Sequence, residues 1–144
     1  MTVPRRNFRL VAPPIPETSL HEAVARALDL LLLAPAVWTT FPAGSVPLPP
    51  EFSAKLYRMG LKRGWPDVLV IHRIVYGIEL KIMGGRLSRT RMVRMKSGAL
   101  RELLGQEDVF PRLEEAGMVI GVCQSVLDVL TFLGQHGVPL RRFT

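Results

Sequence analysis

Two short apolar runs, Val68-Leu-Val-Ile71 and Ile78-Glu-Leu-Lys-Ile82, constrain this chain more than any other feature. Pro66 precedes the first and Gly84-Gly85 follows the second, so both are bounded by residues that end regular structure. The first is continuously apolar and reads as a strand buried on both faces. The second alternates, with Ile78, Leu80 and Ile82 on one side and Glu79 and Lys81 on the other. With a turn at His72 to Tyr76 they form an antiparallel hairpin. Asp67 begins the first strand and Glu79 lies twelve residues later, which sets the two carboxylates near each other across the ladder.

Charge makes that pair conspicuous. The 144 residues carry a formal +7, but residues 55–101 alone carry +10 and the remainder −3. Asp67 and Glu79 are the only two acids among the twelve Lys and Arg of that block. A basic block on a near-neutral body is the electrostatic footprint of a nucleic-acid partner. Two close carboxylates resist joint ionisation unless a cation sits between them. Oxygen ligands with room for water suit Mg²⁺ or Mn²⁺, and Lys81 beside them can face a phosphate.

Other function classes are excluded by what is missing. The single cysteine, Cys123, permits neither an intrachain disulfide nor a CxxC zinc site, and its apolar run makes it a small buried hydrophobe. His21, His72 and His136 have no metal-ligand spacing. The longest apolar stretch, Leu30 to Val37, is broken by Pro35 and too short to span a bilayer, so a cytoplasmic protein is expected.

The length fits one domain. Residues 1–17, rich in Pro and Arg, read as an extended arm, and 18–144 as the domain. Thr18 or Ser19 caps a helix from Leu20 to about Leu33, Val37 to Phe41 is a strand, and 42–50 is a proline-rich loop. Glu51 to Met59 is a helix stopped by Gly60, and Gln106 to Ala116 a helix ended by Gly117. Met118 to Cys123 is a strand, and Ser125 caps a last helix to about Gln135. This alternation predicts an α/β mixed sheet with helices on both faces. Trp38 and Trp65 read as core or rim aromatics.

With these residues in view, Gly60-Leu-Lys-Arg-Gly-Trp-Pro-Asp67, Glu79-Leu-Lys81 and Gly84-Gly-Arg-Leu-Ser88 resemble the VRR-NUC family of the PD-(D/E)XK nuclease superfamily, over about residues 18–140. The resemblance implies a restriction-endonuclease-like αβββαβ core and a Mg²⁺- or Mn²⁺-dependent DNA endonuclease. It also implies a homodimer and branched or junction DNA as substrate. Asp67 and Glu79 would hold the metal with the carbonyl of Leu80, Lys81 would be the catalytic lysine, and Glu22 on the first helix would complete the acidic cluster. Gln106 matches the family's glutamine, which opens the helix after the catalytic strand.

The chain departs from the family pattern at this glutamine. Gln106 lies twenty-five residues past Lys81, and an insertion from roughly Arg89 to Gly105, within a basic stretch of about 86–105, accounts for the distance. Arg86, Arg89, Arg91, Arg94, Lys96 and Arg101, joined by Lys62 and Arg63, form the expected DNA-binding set. The stretch has little periodicity, and Met92, Val93 and Met95 suggest a basic flap with one side packed down. The competing class is a DNA-binding module of the same fold with an idle site. RNA as substrate uses the same chemistry.

Overall fold

Alternation of apolar residues places one face of a four-stranded mixed sheet in the core of this computed structural model, which describes residues 16–41 and 48–142. The elements are α1 (Glu17–Leu31), β1 (Val37–Thr40), α2 (Pro50–Arg58), β2 (Val68–His72), β3 (Ile74–Leu80), β4 (Arg91–Arg94), β5 (Leu100–Leu103), α3 (Gln106–Glu115), β6 (Val119–Cys123) and α4 (Val126–Gln135). The sheet order is β1-β2-β3-β6, with β1–β2–β3 antiparallel and β6 parallel to β3. The core joins Val68, Val70, Tyr76, Ile78 and Leu80 of β2 and β3 to Leu20, Val24 and Leu28 of α1 and to Val129 and Leu133 of α4. Each such side chain removed from water contributes about 1.5–3 kcal/mol.

Helix α1 starts at Glu17, earlier than its sequence suggests, and neither Thr18 nor Ser19 is the cap. Pro16 occupies that position in extended conformation (φ −57°, ψ 141°), and its carbonyl accepts from the amides of Ser19 and Leu20. Proline's fixed φ is compatible with a helix entrance and needs no side-chain acceptor. In contrast, Ser125 does cap α4, its Oγ accepting from Asp128 N at 3.0 Å. Gly60 and Gly117 follow α2 and α3 at φ 107° and 106°, the left-handed stop expected of them. The extended arm expected over 1–17 falls outside the described residues except for Pro16 and Glu17, and most of the 42–50 loop does too.

The hairpin is tighter than the sequence implies. Its turn closes at Arg73 (φ 66°), so that Ile74, Val75 and Tyr76, expected in the turn, are paired with His72, Ile71 and Val70. These β-branched and aromatic residues favour extended backbone, and Tyr76 gains burial in the core. Strand β2 also differs from expectation: only Val68 and Val70 are buried, while Leu69 is half-buried and Ile71 exposed. The helices α1 and α4 cover one side of β2 and leave the other side of its far end open.

Gly77 interrupts the apolar run of β3 because of what packs on it. A Cβ there would lie 2.6 Å from Pro66 Cγ and 2.8 Å from Met118 Sδ. Pro66 thus seats against the strand two residues before Glu79, which delivers Asp67 to the sheet.

Residues 89–105 form neither a loose loop nor a packed flap. They hold the separate two-stranded sheet β4–β5, turned by residues 95–98 with Met95 N donating to Ala99 O. Met92 and Met95 are exposed, so the methionines do not pack down; of that trio only Val93 is half-buried.

Cys123 is buried, and burial with the nearby Asp128 carboxylate pushes its thiol up to about 11. The native protein is therefore expected to resist iodoacetamide at neutral pH and to be alkylated at this one site after denaturation, read by mass spectrometry. No helix among the described residues is long and apolar enough to cross a membrane.

Candidate active site and its basic surround

The register of the hairpin brings the acids together. Val68 pairs with Ile78, and one further step along the same register sets Asp67 opposite Glu79. Asp67 is anchored by two backbone amides: its O accepts from Phe41 N at 2.8 Å, and its Oδ2 accepts from Leu80 N at 2.8 Å. Leu80 itself contributes backbone alone, because its side chain is wholly buried in the core.

Glu79 is 1% exposed. Its Oε1 meets Lys81 Nζ at 2.8 Å, the strand spacing of two having put both side chains on one face. Its Oε2 is buried and has no direct hydrogen-bond partner among the described residues. Burial first, and the neighbouring Asp67 carboxylate second, hold the Glu79 carboxyl above the usual carboxylate range, with Lys81 and Gln106 pulling the other way. An acid held near another acid, with one oxygen unsatisfied, is an arrangement that a cation would relieve.

A cleft of about 250 Å³ opens over these groups. Asp67, Glu79, Lys81 and Gln106 all line it, with Ser88 and Arg63. Both helix glutamates are exposed, but Glu17 lines the edge of the cleft and Glu22 does not. The reason is helical phase. Leu20 and Val24 face the sheet, and Glu22, midway between them in sequence, points about 200° away from each. Glu17 lies three residues before Leu20, on the sheet-facing side. That phase was readable in the sequence, but the expected start of the helix at Leu20 put Glu17 outside it.

Gln106 is held in the cleft by Ser88. Ser88 N donates to Gln106 Oε1 at 3.1 Å, Gln106 N donates to Ser88 Oγ at 3.0 Å, and Glu107 N donates to Ser88 O at 3.1 Å. The first amides of α3 are thereby satisfied within the chain. The β4–β5 hairpin leaves and returns at this clasp, which Thr90 extends by accepting from Gly105 N and donating to Asp108. Gly105 is required there, since a Cβ would fall 2.2 Å from the carbonyl carbon of Arg89.

Among the described residues, no group of three or more His, Cys, Asp or Glu side chains lies close enough to hold a metal ion. The acidic centre is therefore the pair Asp67 and Glu79, with Glu17 at the cleft's edge. All eight cations of the basic set, Lys62, Arg63, Arg86, Arg89, Arg91, Arg94, Lys96 and Arg101, are exposed. Arg89 lies 3.6 Å from Glu107, and Arg94 donates to Gly98 O in its own turn. Arg63, Lys62 and Arg101 border the cleft or the groove beside it, where Arg112 joins them. Arg112 was not evident from sequence because its helix is otherwise acidic, with Glu107, Asp108, Glu114 and Glu115.

Comparison with protein-family models, with curated proteins and with solved structures finds no match for this chain.

Proposed function

We propose that this chain is a PD-(D/E)XK nuclease of VRR-NUC type, with a restriction-endonuclease-like sheet, that hydrolyses DNA phosphodiesters with Mg²⁺ or Mn²⁺. The observation that carries the reading is the Glu79 carboxyl: nearly inaccessible, beside Asp67, paired to Lys81 on one oxygen, with its other oxygen buried and Gln106 nearby. Leaving a buried acceptor unsatisfied costs about 1–3 kcal/mol, more when charged, and a fold that keeps one has a reason to.

The donor set fits a hard divalent ion. Asp67, Glu79 and the Leu80 carbonyl would hold it, and water would fill the remaining positions. When bound, such an ion supplies Lewis acidity toward water and toward a phosphoryl oxygen. The chain's own groups do the rest. Lys81 sets a positive charge where negative charge builds in the transition state. Ser88 and Gln106 fix the cleft wall, and the exposed Lys and Arg residues hold flanking phosphates and orient the strand. A homodimer, which the resemblance implies, would present two such clefts to one branched DNA.

The test is cleavage of duplex, flapped and four-way-junction DNA by the full chain. Products with Mn²⁺ and none in chelator are expected. Binding without products in Mn²⁺ would instead identify a DNA-binding module with an idle site.

A further inference from the structure

The insertion between Ser88 and Gln106 folds into a ribbon that stands apart from the main sheet. Among the described residues, β4 and β5 pair only with each other, and the ties among Ser88, Thr90, Gly105 and Gln106 hold the base of the ribbon at the cleft wall. Residues paired across the ladder share a face, so the register divides the ribbon in two. Val93 and Leu103, both half-buried, lie on one face with Arg91 and Arg101. Met92, Arg94, Leu100 and Glu102 lie on the other, and all four are exposed. Met92 is 57% and Leu100 61% exposed, although they sit diagonally across the two strands, a spacing of about 7–8 Å at which long side chains still meet.

Charge selects what could cover that outward face. Residues 86–104 carry Arg86, Arg89, Arg91, Arg94, Lys96 and Arg101 against the one acid Glu102, so the complement is a polyanion. A second copy of the same face would set like charge against like. Duplex DNA is a polyanion that also offers apolar groups. The 5-methyl of thymine projects into the major groove, whose width admits a two-stranded ribbon. Glu102 agrees with this placement: phosphates repel it, whereas a cytosine amino group in the major groove donates to a carboxylate. The minor groove presents no methyl group and is about half as wide.

We propose that the β4–β5 ribbon lies in the major groove of duplex DNA next to the cleft, with Met92 and Leu100 against thymine methyl groups, so that the chain reads the methyl content of the bases there. The proposal rests on the nuclease reading for DNA as partner, and adds a readout of base edges to the phosphate contacts. Each strand has four residues, which at about 3.4 Å per residue spans roughly four base-pair steps. Lys96, exposed in the turn, meets a flanking phosphate. Ser88 and Gln106 both line the cleft and clasp the base of the ribbon, so the bases it touches lie at a set distance from the bond that is cut.

The experiment uses the full chain in chelator, so that neither metal nor cleavage enters. Two blunt duplexes of one mixed sequence are compared by anisotropy, the first with thymine and the second with deoxyuridine, which lacks only the methyl group. The thymine duplex is expected to bind about fivefold more tightly. Met92→Ser combined with Leu100→Ser should bind both duplexes alike, at the weaker affinity. Both side chains are exposed, so this variant reads binding without loss of packing. Lys96→Gln should weaken both duplexes equally, reduce the salt slope by about one and leave the methyl preference intact. Netropsin, which fills the minor groove, should not displace the chain. Equal affinity of the parent for the two duplexes would overturn the proposal, as would a methyl preference that survives the double variant, or displacement by netropsin. Cleavage in Mn²⁺ without methyl preference would remove the ribbon's role alone, whereas methyl preference without cleavage would remove the nuclease reading alone.

Discussion

Asp67→Asn is expected to lower Mn²⁺-dependent DNA cleavage by about a thousandfold or more while leaving DNA affinity in chelator unchanged or slightly higher. The amide keeps the shape of the side chain and an oxygen that accepts from Leu80 N, the contact that Asp67 makes at 2.8 Å. What it removes is charge. If the acid served only to cap the strand, the variant would cleave as the parent does. Alanine is the poorer choice, because it would leave the buried Leu80 amide without its acceptor at a cost of about 1–3 kcal/mol. Lys81→Ala should fall by about 10²–10³ in rate, the usual loss when one group stabilising developing charge is removed. Rates would be read from single-turnover cleavage, with circular dichroism to check that each variant is folded. An Asp67→Asn protein that cuts DNA at the parental rate would end the metal-site reading.

Glu79→Gln is expected to melt at a higher temperature than the parent in metal-free buffer at neutral pH. The sign follows from the direction of the shift. Burial and Asp67 raise the Glu79 pKa above its ordinary 4.5, so the folded chain holds this proton more tightly than the unfolded chain does. The group's contribution to stability is therefore complete below about 4.5 and is lost as pH rises through the raised folded value. Glutamine cannot titrate and keeps that contribution. The advantage of the variant should thus be small in acid and grow toward neutrality. Mn²⁺ should reverse the order: it stabilises the parent by about 2.7 kcal/mol at a hundredfold excess over Kd, and stabilises the variant much less. Differential scanning fluorimetry across pH, with and without Mn²⁺, reads both effects. A parent whose melting temperature ignores Mn²⁺ would count heavily against a cation between Asp67 and Glu79.

Much of this centre was legible because strand geometry is short-ranged. Period two puts Glu79 and Lys81 on one face, and the twelve-residue separation from Asp67 survives the displaced turn, since moving the turn to Arg73 leaves Val68 opposite Ile78. Contacts distant in sequence decided what the local pattern left open. Glu17 lines the cleft in place of Glu22 because Leu20 and Val24 fix the rotation of α1 against the sheet. The basic stretch lacked an obvious period, yet it folds into β4 and β5, because Ser88, Thr90, Gly105 and Gln106 clasp its two ends.

The sequence by itself determined the hairpin, its pair of acids, the lysine beside them and the basic field around them. Each depends on residue type and spacing within one strand or turn, where backbone geometry leaves few alternatives. Tertiary structure alone decided which helix acid borders the cleft, that Ser88 meets Gln106 across the hairpin between them, and that Arg63, Arg101 and Arg112 share one groove. Those arrangements bring together α1, α2, α3 and the β4–β5 hairpin, elements far apart in sequence whose relative placement no local spacing fixes.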